Sequence, residues 1–113
     1  MRSLRHTVDV LVVGAGPAGI AAACAAAEAG RDVALVDNSP WLGGQIWRSE
    51  PPRAASSTAR RWIQRLKHSG ARVYSSAAVF AASASNRLLA ETPASVLEFT
   101  WQKLVIATGA REL

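Results

Sequence analysis

The chain has 113 residues, half of them hydrophobic, with 13 basic against 8 acidic side chains and a net charge of +5. That is one domain at most, with enough apolar material for a real core. A single cysteine, Cys24, excludes an intramolecular disulfide and a Cys-x-x-Cys redox pair.

The valine-rich run at residues 8–13 predicts a strand buried on both faces of a parallel sheet, and it stops at Gly14. Gly14, Gly16 and Gly19 have the G-x-G-x-x-G spacing, in which each glycine has its own task. Gly14 allows the tight turn, Gly16 lets the main chain approach a pyrophosphate, and Gly19 lets a helix lie close against the strand. Pro17 and Ala18 sit between them, where free helix N–H groups face an anion. Residues 20–29, nearly all alanine, predict that helix, with Gly30 placed to stop it. Residues 33–36 predict the next buried strand. Asp37 follows where a carboxylate accepts hydrogen bonds from ribose hydroxyls, so the unit has the makings of an adenosine diphosphate site. A glycine turn that binds nothing leaves Gly16 and Asp37 unexplained. Residues 10–27 also lack charge and follow a basic start, as signal peptides and membrane spans do. Gly14, Gly16, Pro17 and Gly19 interrupt that run, and the expectation is a cytoplasmic protein with no membrane span.

Beyond Asp37 the chain is turn-rich. Gly43 and Gly44 permit close backbone approach and Gln45 offers an amide to a polar ligand atom; a plain loop with Trp41 and Trp47 capping the core fits equally well. Pro51 and Pro52 break regular structure, and Ser56 or Ser57 caps a helix running to Ser69. Trp62, Ile63 and Leu66 fall on one face of it. Arg60, Arg61, Arg65 and Lys67 lie largely elsewhere, which marks a solvated surface rather than a nucleic-acid site. Residues 71–74 predict a third strand. Residues 79–82, 88–92 and 96–100, broken at Asn86 and Pro93, predict a small antiparallel meander. Residues 103–107 predict another buried strand, ending in the small-residue turn Ala107-Thr108-Gly109-Ala110-Arg111. His6 and His68 stand apart from any metal-ligand cluster and are packing or surface residues.

With V-V-G-A-G-P-A-G, Asp37, G-G-Q and L-V-I-A-T-G-A-R in view, the sequence resembles the flavin-dependent pyridine nucleotide-disulfide oxidoreductase superfamily. G-G-Q-I-W-R and A-T-G-A-R-E are similar to the FAD subunit of opine oxidases and hydrogen cyanide synthases, in the thioredoxin-reductase-like branch. The resemblance implies an α/β, Rossmann-like FAD-binding domain with a parallel sheet, flanking helices and a small meander. It implies FAD held by Gly14, Gly16, Pro17, Ala18 and Gly19 at the pyrophosphate and by Asp37 at the ribose. It places Gly44 and Gln45 on the flavin side, Val79 near adenine through its main chain, and Ala107, Thr108 and Gly109 in the turn beside the cofactor. Spacing alone does not choose FAD over NAD, since both contain adenosine diphosphate.

The activity implied is oxidation of a small amine, amino acid or opine by hydride transfer to flavin, with no catalytic residue named. The redox cysteine pair, a second G-x-G-x-x-G and the later Gly-Asp motif of the superfamily are absent. The missing cysteine pair disfavours disulfide chemistry. Because the chain stops four residues after Gly109, where the resemblance implies most of the enzyme still to come, the expectation is that residues 1–113 are the N-terminal portion of a larger enzyme, an incomplete unit awaiting downstream sequence or a partner subunit. A non-catalytic NAD(P)- or ADP-binding module and an inactive truncated remnant are the alternatives.

Overall fold

The computed structural model describes residues 2–40 and 57–108. In chain order these form β1 (Arg2–Thr7), β2 (Val10–Val13), α1 (Pro17–Glu28), β3 (Val33–Val36), α2 (Ser57–Ser69), β4 (Arg72–Tyr74), β5 (Ala78–Ala84), β6 (Arg87–Glu91), β7 (Ser95–Thr100) and β8 (Lys103–Ile106). Two four-stranded sheets result, one of order β4-β3-β2-β8 and one of order β1-β7-β6-β5. The first is parallel throughout. In the second, β1 runs parallel to β7, while β5, β6 and β7 form an antiparallel meander.

Strands β2 and β3 are apolar at every position because both their faces are covered. Alternate residues of a strand point to opposite faces. Leu11, Val13, Ala34 and Val36 pack against Ala90, Leu97 and Phe99 of the second sheet. Val12, Val33 and Leu35 pack against Ile20, Ala23 and Cys24 of α1 and Leu66 of α2. The molecule is thus three layers deep: helices, parallel sheet, mixed sheet. Each fully buried Val, Leu or Ile contributes roughly 1.5–3 kcal/mol toward the cost of ordering the chain.

The helices follow from local chemistry. Pro17 opens α1 where its missing N–H costs nothing, and Arg31 N–H closes the other end on the Ala26 carbonyl at 3.1 Å. In α2, Ala59 and Leu66 are buried while Arg60, Arg61, Arg65 and Lys67 are exposed, as the amphipathic pattern predicts. Arg65 adds a polar link between the two helices. Its Nε donates to Glu28 Oε2 at 2.7 Å, and its guanidinium lies 4.9 Å from the Trp62 ring centre.

Strand β1 departs from the sequence reading, because Arg-Ser-Leu-Arg-His-Thr has no apolar pattern that marks it as a strand. It forms because β7 is its partner. Arg2 pairs with Ser95 and Thr7 with Thr100, and the same register continues from Val10 opposite Lys103 to Val13 opposite Ile106. β1–β2 and β7–β8 are therefore two long strands that cross together from one sheet to the other. At their common break the Asp9 carbonyl accepts from Gln102 N–H at 3.2 Å and Lys103 N–H at 2.9 Å. Arg5 pairs with Glu98 at 3.2 Å. Smaller shifts are that α1 starts at Pro17 rather than residue 20, while β4 and β8 are each one residue shorter than predicted.

His6 faces inward from β1. Its ring stacks on Phe99 at 5.4 Å and meets Tyr74 at 5.1 Å, joining the two sheets. Burial, reinforced by the Arg72 charge, holds its pKa below the ordinary 6.5. The unfolded chain then binds the proton more readily than the folded one. The contribution of His6 is full above pH 6.5 and is lost as pH falls from that value through the folded pKa. The loss is at most about 1.4 kcal/mol per pH unit. Urea unfolding on either side of pH 6.5 checks this: His6→Phe keeps the stacked ring, and its stability falls less on acidification than that of the unaltered chain.

Candidate functional site

The turns leaving the C-terminal ends of β2 and β3 border a cleft of about 150 Å³. Its walls are apolar, from Val13, Val36, Ala77 and Val79, and its polar lining comes from Gly14, Asp37, Asn38 and Thr108. Ligands of open parallel sheets bind at this end of the strands.

The three glycines have different reasons to be glycine. Gly14 has φ +111°, and a Cβ there would stand 2.2 Å from the Ala107 carbonyl oxygen. A Cβ on Gly19 would stand 1.8 Å from the Gly14 carbonyl oxygen and 3.4 Å from the Ala107 Cβ. Both are demanded by the fold. Gly16 is not: its φ is an ordinary −75°, and a Cβ built on it meets nothing within 4 Å. It precedes a helix that has no side-chain cap and no acid in its first turn. Space, backbone geometry and an uncompensated helix N-terminus leave a seat suited to an anion.

Asp37 lies at the end of β3 beside this loop. Its Oδ1 accepts the Ala15 N–H at 3.0 Å and its Oδ2 accepts the Ser39 N–H at 3.0 Å. The acid therefore has partners within the chain, and a ligand is not needed to explain it.

Of the residues that sequence reasoning selects, Gly14, Asp37, Val79 and Thr108 come together in the cleft. Gly16, Pro17 and Ala18 form the solvent-facing start of α1, and Gly19 and Ala107 pack behind the glycine turn. Gly44, Gln45 and Gly109 lie outside the described residues. Sequence reasoning misses Asn38, Ser39, Ser76 and Ala77. The run Asp37-Asn38-Ser39-Pro40 carries a signal for the first two, since an aspartate commonly bonds its own backbone two residues on. Ser76, with φ 52° and its N–H on the Ser39 carbonyl at 3.1 Å, gives no such sign. Cys24 is fully buried in α1, and burial pushes its thiol pKa up despite the opposing Arg65 charge. Among the described residues there is no group of three or more His, Cys, Asp or Glu able to hold a metal, and no helix long and apolar enough to cross a membrane.

Residues 9–95 match the family model described as FAD dependent oxidoreductase. An opine oxidase subunit of Rhizobium meliloti (strain 1021) is 31% identical over 113 residues, covering 92% of this chain and 25% of that protein. The alpha subunit of sarcosine oxidase from Corynebacterium sp. (strain U-96) is 47% identical over 58 residues, 51% of this chain and 6% of that one. The crystal structure of L-proline dehydrogenase from P. horikoshii superposes with a TM-score of 0.74 at 25% identity, covering 97% of this chain and 24% of that one. The chain thus spans about a quarter of the opine oxidase protein's length.

The unequal glycines give a test in the absence of any ligand. Gly16→Ala changes stability by less than about 1 kcal/mol, because alanine's weaker N-cap and its lower unfolded-state entropy oppose each other. Gly19→Ala forces α1 away from the Gly14 carbonyl and costs about 1–3 kcal/mol or more. Urea denaturation of the two variants is the measurement.

Proposed function

The chain belongs to the FAD dependent oxidoreductase family, and on that footing we propose that it binds the adenosine diphosphate part of FAD for an enzyme that oxidises a small amine, amino acid or opine. Gly16 carries the reading. Neither packing nor dihedral angle requires glycine there, so its purpose is sought in something that approaches the backbone from outside. Gly14, Gly16, Pro17, Ala18 and Gly19 would hold the pyrophosphate, with the N-terminus of α1 supplying positive potential. Asp37 would accept from ribose hydroxyls, and the main chain of Val79 would meet adenine. Ala107, Thr108 and Gly109 would line the cofactor further along, with Gly44 and Gln45 on the flavin side.

FAD when bound supplies the two-electron acceptor. The protein's part is to hold and orient it and to exclude water at the apolar walls Val13, Val36, Ala77 and Val79. The substrate class rests on the relatives. Opines, sarcosine and L-proline are α-amino acids whose nitrogen is secondary, and their names are those of the similar proteins. No catalytic residue is assigned. Two of those relatives are named as subunits, and Leu104 and Ile106 of β8 are 38% and 60% exposed; both facts support a partner subunit or further sequence beside β8. A cytoplasmic location goes with this reading.

A second reading is a non-catalytic NAD(P)- or ADP-binding module, because FAD and NAD both contain adenosine diphosphate and a site for that part suits either. An absorbance spectrum separates the two: bound flavin is yellow and bound nicotinamide is not. Reduction of that flavin by a secondary amino acid without oxygen, with the chain joined to its downstream sequence or partner subunit, then tests the substrate class, and a spectrum that stays oxidised with every such amine tells against it. Gly16→Val is expected to fold, since the Cβ has room, yet to lose FAD binding because the side chain fills the pyrophosphate seat. Fluorescence titration with FAD gives the answer, and undiminished affinity counts against the site.

A further inference from the structure

We infer that Asp37 is a positioning residue, setting the shape of the glycine turn and of the cleft wall opposite before any nucleotide arrives. Hydrogen-bonding groups on this one residue reach separate segments. Its N–H donates to the Tyr74 carbonyl at 3.0 Å and its own carbonyl accepts from Ala77 N–H at 2.9 Å. Its carboxylate takes Ala15 N–H on one oxygen and Ser39 N–H on the other, each at 3.0 Å. The turn after β2, the turn after β3, the end of β4 and the approach to β5 all meet on it.

The side-chain bonds govern the site. Gly14 N–H is still held in place by the Val36 carbonyl at 2.8 Å, but the chain then leaves the sheet. Ala15 is fully buried, so without the carboxylate its N–H would be a buried donor with no acceptor. Ala15 immediately precedes Gly16, and fixing its peptide plane aims both Gly16 and the start of α1. On the opposite wall, the Ser39 carbonyl accepts the N–H of Ser76 at 3.1 Å, and Ser76 sits in the left-handed region at φ 52°. One carboxylate thereby braces both sides of the cleft. A carboxylate has about four acceptor positions, and these bonds take one on each oxygen, leaving acceptor capacity for a ligand hydroxyl. An asparagine has one acceptor oxygen and would turn an NH₂ toward one of the two amides.

This inference rests on the cleft being the cofactor's, and its test separates the two ideas by reading the amides without ligand. Hydrogen exchange of the full chain is followed by NMR, with and without Asp37→Asn, alongside FAD titration. In the unaltered chain Ala15 and Ser39 are protected in the absence of FAD. In Asp37→Asn they exchange roughly tenfold faster or more, Val12 and Leu35 keep their protection, and FAD affinity falls. Equal exchange in both proteins overturns the inference. So does free exchange of these amides in the unaltered chain, a readout that needs no variant to fold. Faster exchange with unchanged FAD affinity overturns it too, since a residue that only stabilises the turn would leave affinity alone in a protein whose core remains protected. Failure of the unaltered chain to take up FAD strikes instead at the reading of the cleft, while the exchange comparison still decides what Asp37 does to the two turns.

Discussion

Everything at the cleft end of this fold depends on a place where no side chain fits. Three backbone segments meet there: the end of β2, the start of α1 and the end of β8. A Cβ on Gly19 would stand 1.8 Å from Gly14's carbonyl oxygen, and one on Gly14 would stand 2.2 Å from Ala107's. Backbone atoms cannot yield as a flexible side chain can, so these glycines decide how closely the helix lies on the sheet. That closeness has two results. The N-terminus of α1 sits directly beyond the strand ends, and Asp37 on the neighbouring strand is near enough to bond Ala15 across the turn. The alanines of α1 serve the same approach, since Ala23 is fully buried against the sheet without holding the helix away.

The βαβ unit is legible in the sequence because its information is local. A run of valines with both faces covered, a glycine spacing and an alanine helix each carry their reason within a few residues. β1 is not legible, because Arg-Ser-Leu-Arg-His-Thr becomes a strand only beside β7, near the other end of the chain. The same distance hides His6: its ring joins the two sheets through Phe99 and Tyr74, and no neighbour in sequence announces that. At the cleft, the glycine spacing marks the turn after β2 and Asp37 marks the end of β3, and the structure sets the two side by side. What spacing does not convey is that Gly14 makes room for Ala107. Likewise, the run Asp37-Asn38-Ser39-Pro40 signals a local turn bond, while the bond to Ala15 exists only after β2 and β3 have paired.

The structure also changes how strongly each residue argues for a nucleotide. An acid after the second strand is ordinarily taken as a ribose ligand, which makes it half the case from sequence. Here both carboxylate oxygens already hold amides within the chain, so a protein that bound nothing would still have use for Asp37. Gly14 and Gly19 are likewise explained by packing. Gly16 is different. Its dihedral angle suits any residue and its missing Cβ leaves open space; what the chain itself asks of it is an N-cap for α1, a place that Ser, Thr, Asn or Asp fill as well as Gly. A glycine that the chain's own packing does not require leaves room for a contact outside it, and the solvent-facing start of a helix with no side-chain cap is where an anionic group would make one.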